Sequence, residues 1–113
     1  MSRDLRLYLT DILISGEKVL HYTEGMNFEN FVADDRTFDA VIRDLQIIGE
    51  AVKNIPDDAR LLKTEIEWRK IAGLRDILAH AYFQIEEEII WDVVRNKIPP
   101  LLGAVSQLLE GMS

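Results

Sequence analysis

Apolar residues return every three or four positions along almost the whole chain, and that rhythm limits the fold more than any other feature. Leu5, Tyr8, Leu9, Ile12, Gly16, Val19 and Leu20 form one such stripe, which predicts a helix from about Arg3 to His21. Ser2 is its expected N-cap, with Asp4 near the positive end of the dipole. The break at Glu24-Gly25-Met26-Asn27 precedes a short turn of helix carrying Phe28 and Phe31. Asp34-Asp35 then cap a second long helix with Phe38, Val41, Leu45, Ile48, Val52 and Ile55 on one face. Ile42, Ile47 and Ala51 widen that face beyond what one contact needs, so this helix either lies centrally or meets another subunit.

Asn54-Ile55-Pro56-Asp57-Asp58 ends the second helix, and Asp57 or Asp58 can cap a short segment reaching Lys63. A third main helix is expected from about Trp68 past His80, with Ile71, Leu74, Ile77 or Leu78, and Ala81 facing inward. After a turn at Gln84-Ile85, Glu86-Glu87-Glu88 suit the N-terminus of a last helix, which Pro99-Pro100 must kink or divide. No strand-like alternation and no repeat occurs. The expected fold is all-α: one domain over residues 1–113, an antiparallel bundle of four to five main helices.

Composition narrows the function. The chain has no cysteine, which excludes disulfides and thiolate metal sites, and no apolar run long enough to span a membrane. Charge opening the chain is unlike a signal peptide, so a cytoplasmic protein is expected. A net charge of −7 argues against a general nucleic-acid coat, and DNA is not an expected partner. Yet between Arg60 and Arg75 the cations Arg60, Lys63, Arg69, Lys70 and Arg75 face only Glu65 and Glu67, a local basic spot that suits a phosphate.

Just past that spot, Arg75-Asp76-Ile77-Leu78-Ala79-His80-Ala81-Tyr82 reads as R-x4-H-x-Y. Imidazole titrates near neutrality and can take a 2′-hydroxyl proton, while a guanidinium can stabilise charge on phosphorus. On a regular helix Arg75 and His80 diverge by roughly 140°, whereas Arg75 and Tyr82 share a stripe within roughly 20°. Arg75 could curl toward its partner, the helix could fray near His80, or a second copy could complete the site; spacing does not choose among these. Rival sites are thin. His21 suits a helix C-terminus, Ser15 and Ser106 lack a base, and no glycine loop or metal-binding pattern occurs. Trp68 and Trp91 read as core or interface anchors.

The segment from Glu67 to Tyr82 resembles the signature W-R-x-I-x-G-h-R-[N/D]-x3-H-x-Y (h apolar) of the HepT-like branch of HEPN domains. Asp39-Ala40-Val41 and Ile47-Ile48-Gly49-Glu50-Ala51 resemble its D-A-V and I-G-E-A elements, and Ile90-Trp91 and Ile98-Pro99-Pro100-Leu101 its closing helix. The resemblance implies a helical bundle that dimerises with paired motifs lining a shared cleft. It implies a metal-independent endoribonuclease toxin, acting on RNA without a cofactor, with Arg75 and His80 as catalytic residues and Asp76 supporting Arg75. The implied partner is a minimal nucleotidyltransferase antitoxin, as a binary pair or a larger complex. That antitoxin would silence the toxin by transferring AMP to Tyr82. Glu50 would either reach the cleft or serve a surface or interhelical role. A different class remains open: a non-catalytic subunit that binds nucleotide or presents Tyr82 to the transferase.

Overall fold

The computed structural model describes residues 4–80 and 86–112, and of His80 only the backbone. Seven α-helices lie in that span: α1 (Leu5–Tyr22), α2 (Phe28–Ala33), α3 (Asp35–Lys53), α4 (Asp57–Arg60), α5 (Trp68–His80), α6 (Glu87–Asp92) and α7 (Ile98–Glu110). Four are long and three are short connectors, and among the described residues there is no strand. The all-α bundle expected from the periodicity is therefore what forms. No helix among the described residues is long and apolar enough to cross a membrane.

The central member is α3, packed between α1 and α5, with α7 on the far side of α1. Its broad apolar stripe is explained by that position: Val41, Ile42, Leu45, Ile48, Ala51 and Val52 are all buried. Ile47 is the exception, 40% exposed. Leu9, Ile12 and Val19 of α1, Leu74 and Leu78 of α5 and Leu101 and Val105 of α7 join them in one core. On α5 the inward residue of the Ile77/Leu78 pair is Leu78; Ile77 faces out.

Caps follow local chemistry more closely than the expected boundaries. Asp4, not Ser2, caps α1, its carboxylate accepting from the Arg6 N–H at 3.0 Å, so the helix starts at Leu5. Ser2 lies outside the described residues. Asp34 caps α3 as expected, accepting from the backbone and hydroxyl of Thr37, and those bonds hold its pKa below the usual carboxylate range. Neither Asp57 nor Asp58 caps α4. Pro56 takes that place with no side-chain bond, and both acids fall inside the first turn. Arg60 instead closes the end of α3, donating to the carbonyls of Ile55 and Val52 at 2.9 and 2.8 Å.

The proline pair divides the last helix in an unexpected way. Val93–Lys97 form a π-helical turn between α6 and α7, with the Ile98 N–H reaching the Val93 carbonyl. Pro99 and Pro100 supply no N–H, so an α-helical ladder has no donors for the carbonyls four residues back, and the backbone widens one turn earlier. The two tryptophans act as anchors. Trp68 is buried and donates to the Lys63 carbonyl at 2.9 Å, and Trp91 packs on Phe31 with Arg95 over its ring.

Candidate functional site

Helices α3 and α5 come into close contact where Gly49 meets Arg75. A Cβ built on Gly49 would stand 2.8 Å from the Arg75 backbone nitrogen, so only glycine allows this spacing. One residue on, Glu50 points along the same contact. Its Oε2 lies 3.0 Å from Arg75 Nε, and Asp76 Oδ1 accepts from Arg75 Nη1 at 3.0 Å. The guanidinium is thus held from two sides while its own side chain stays 42% exposed. Two carboxylates fix the direction of an arginine that can still reach solvent.

Arg75 lines a groove of about 550 Å³ with Ala79 of α5, Tyr8 and Asp11 of α1, and Arg43, Gln46, Ile47, Glu50 and Ala51 of α3. Its lining mixes charged and polar side chains with apolar ones, a composition that suits a phosphate ester with an attached base. The helix remains regular through the backbone of His80, so positions 75 and 80 stand about 140° apart around its axis. Tyr82, the expected AMP acceptor, lies outside the described residues, and so does Ala81.

The basic spot expected upstream of the motif does not form as one patch. Arg60 is spent on the end of α3, and Lys63 donates to Gln107. Lys70 and Lys97 both grip Glu67, at 2.8 and 2.9 Å. Hydrogen bonds from Lys70 and then Lys97 pull the Glu67 carboxyl down to about 2. Helical geometry scatters residues 60–75 around different faces, so of these cations only Arg75 lines the groove.

A family model described as ribonuclease HepT-like, of the HEPN superfamily, matches residues 12–108. The chain belongs to this family. A protein of Thermococcus cleftensis named as a probable ribonuclease HepT is 44% identical over 108 residues, covering 96% of this chain and 98% of that one. A candidate RNase of Methanocaldococcus jannaschii is 42% identical over 108 residues, 96% of this chain and 89% of its own length. A candidate RNase of Caldanaerobacter subterraneus subsp. tengcongensis is 41% identical over 105 residues, 93% and 94% of the two chains. No solved structure gives a significant match.

Within this HepT-like fold, the I-G-E-A resemblance has a physical content. Its glycine permits the α3–α5 contact, and its glutamate is the arginine's partner. Sequence reasoning left Glu50 between the cleft and a surface or interhelical role; it bridges α3 to α5 and lines the groove. The residues it missed are Tyr8, Asp11, Arg43 and Gln46. A usable signal existed on α3, where Arg43, Gln46 and Glu50 recur at three and four residues on one stripe.

Proposed function

We propose that this HepT-like chain is a metal-independent endoribonuclease toxin acting through Arg75 and His80. The supporting observation is Arg75 itself: a guanidinium aimed by Glu50 and Asp76, yet open to a groove large enough for a nucleotide. Names given to relatives of similar length, ribonuclease among them, support the same substrate class. His80 takes the 2′-hydroxyl proton, and the 2′-oxygen forms its bond to phosphorus. The P–O5′ bond then breaks, and His80 returns the proton to the leaving 5′-oxygen. The products are a 2′,3′-cyclic phosphate and a 5′-hydroxyl end. Arg75 donates to the phosphoryl oxygens as charge builds on them.

In this proposal the active form is a homodimer, in the cytoplasm, whose two motifs share a cleft. A minimal nucleotidyltransferase antitoxin silences it by transferring AMP from ATP to Tyr82, with release of pyrophosphate. An AMP group on Tyr82, seven residues from Arg75 in sequence, adds negative charge and bulk that compete with the substrate phosphate.

The test is digestion of total RNA in EDTA by the unmodified protein, beside Arg75→Ala and His80→Ala. Cleavage is expected from the parent alone. Cleavage surviving both substitutions removes this site from the mechanism; no cleavage by a folded parent favours the non-catalytic binding subunit. Mixing the two inactive variants tests the shared cleft: random pairing restores about a quarter of the activity only when each site takes Arg75 and His80 from different copies. Intact mass after incubation with ATP and the transferase tests the modification, and an AMP shift that persists in Tyr82→Phe refutes it.

A further inference from the structure

The groove carries two arginines in different electrostatic states. Arg75 is matched by Glu50 and Asp76, each at 3.0 Å. Arg43 is exposed and joins no ion pair among the described residues, its field falling on the neighbouring buried Asp44. Both side chains line the same cavity. Arg43 precedes Glu50 by seven residues on α3, so the two are about 10.5 Å apart along the axis and about 20° apart around it. Arg43 therefore stands two turns down the groove from the Glu50–Arg75 pair. Gln46 and Ile47 occupy the turn between them, and Tyr8 of α1 lines the same space.

We infer that the Arg43 end of the groove is a second phosphate subsite for single-stranded RNA, the strand running from Arg75 past Gln46 and Ile47. This rests on the ribonuclease reading of Arg75. A stacked strand advances about 3.4 Å per nucleotide, so the span corresponds to about three nucleotides. Tyr8 and Ile47 offer aromatic and apolar surface for an intervening base, and Gln46 offers both a donor and an acceptor. The two cations divide the work. Arg75, compensated by carboxylates, gives direction to the reacting phosphate with little net attraction for it. Arg43, which joins no ion pair among the described residues, supplies the attraction that holds the strand. Asp11 and Glu50 keep the groove near neutral as a whole, so attraction is confined to one point instead of a continuous basic track.

The test is fluorescence anisotropy with uncleavable 2′-O-methyl RNA, as a dinucleotide and as a hexamer, across a salt series. Arg43→Ala is expected to weaken hexamer binding about fivefold and to lower the salt slope by about 0.7, the value for one phosphate on a single strand. A dinucleotide offers one phosphate and cannot bridge the two cations, so in the parent it is expected to bind more weakly than the hexamer, and a hexamer that binds no tighter than the dinucleotide overturns the subsite. Arg43→Lys is expected to keep the salt slope, which separates charge from any effect on folding. Arg95→Ala, a cation stacked on Trp91 and outside the groove, is the charge-matched control. In cleavage assays the Arg43→Ala loss is expected in KM, not in kcat. Hexamer affinity and salt slope equal to those of Arg95→Ala overturn the subsite, even if Arg75→Ala abolishes cleavage. Cleavage that persists in Arg75→Ala overturns the catalytic reading of Arg75 instead.

Discussion

Gly49→Ala measures how tightly α3 and α5 are held at the candidate site. A methyl group there meets backbone, 2.8 Å from Arg75 N and 3.3 Å from its Cα, with nothing flexible to rotate away. Gly73, one helix over on α5, provides the contrast, because a Cβ there meets nothing within 4 Å. Both glycines lie inside helices, where alanine is favoured by about 1 kcal/mol. Gly73→Ala should gain that amount. Gly49→Ala gains the same but must push the helices apart, at a cost of about 1–3 kcal/mol for overpacking. The net runs from neutral to about 2 kcal/mol destabilising, and the two variants should differ by about 1–3 kcal/mol. Urea unfolding followed by circular dichroism reads that difference as a shift in midpoint at unchanged slope. The same displacement moves Arg75, so cleavage should fall in Gly49→Ala far more than in Gly73→Ala, by up to ~100-fold for ~1 Å of misplacement. A Gly49→Ala protein as stabilised as Gly73→Ala would refute the close contact on which the site geometry depends.

Glu50→Ala should change stability by no more than about 1 kcal/mol, since the pair is half-exposed, yet cut kcat; Glu50→Gln, which keeps an oxygen for Arg75 Nε, should restore most of it. Asp44 is 6% exposed, and burial raises its pKa above the ordinary value, with Lys18 and Ser15 opposing. A raised folded pKa means the native state holds the proton longer, so this group's contribution to stability falls as pH climbs above about 3.9 through the folded value. Asp44→Asn should abolish that fall and be at least as stable as the parent at pH 7 in thermal melts. Glu67 behaves oppositely: lowered to about 2 by Lys70 and Lys97, it favours the fold above its ordinary pKa and loses that contribution as pH drops through about 2. Glu67→Gln should therefore flatten the acid limb of a stability–pH curve, and an unchanged limb would count against the Lys70–Glu67–Lys97 bridge.

What the sequence made legible was whatever is periodic or adjacent. The stripe on α3 announced a helix either central or meeting another subunit, because its apolar positions repeat at helical spacing over a wide face, and Asp34 announced its cap by standing just before them. The π-helical turn was not legible. Pro99-Pro100 demanded an interruption, but not its form or place: the turn opens at Val93, with Val93 and Val94 buried within it and Ile98 buried just after it. The basic spot failed for a related reason. Cations close in sequence share a surface only when the backbone between them keeps one face, and the segment from Arg60 to Arg75 passes through a short helix, a 3₁₀ turn and the start of α5.

The site was legible as a motif but not as a geometry. R-x4-H-x-Y names the proposed reacting groups, while the residue that aims the arginine lies 25 positions earlier, on another helix. That tertiary contact also narrows how the motif can work. Three routes could bring Arg75 and His80 together: fraying of the helix, curling of the arginine, or a second copy of the chain. The backbone stays helical through His80, so no fraying occurs before it. Arg75 is tied by Glu50 to the α3 side, and position 80 lies about 140° around α5 from that side, so curling toward it would cost the arginine its partner. Within the proposed mechanism, the second copy is the route that leaves both the helix and the Glu50–Arg75 pair intact.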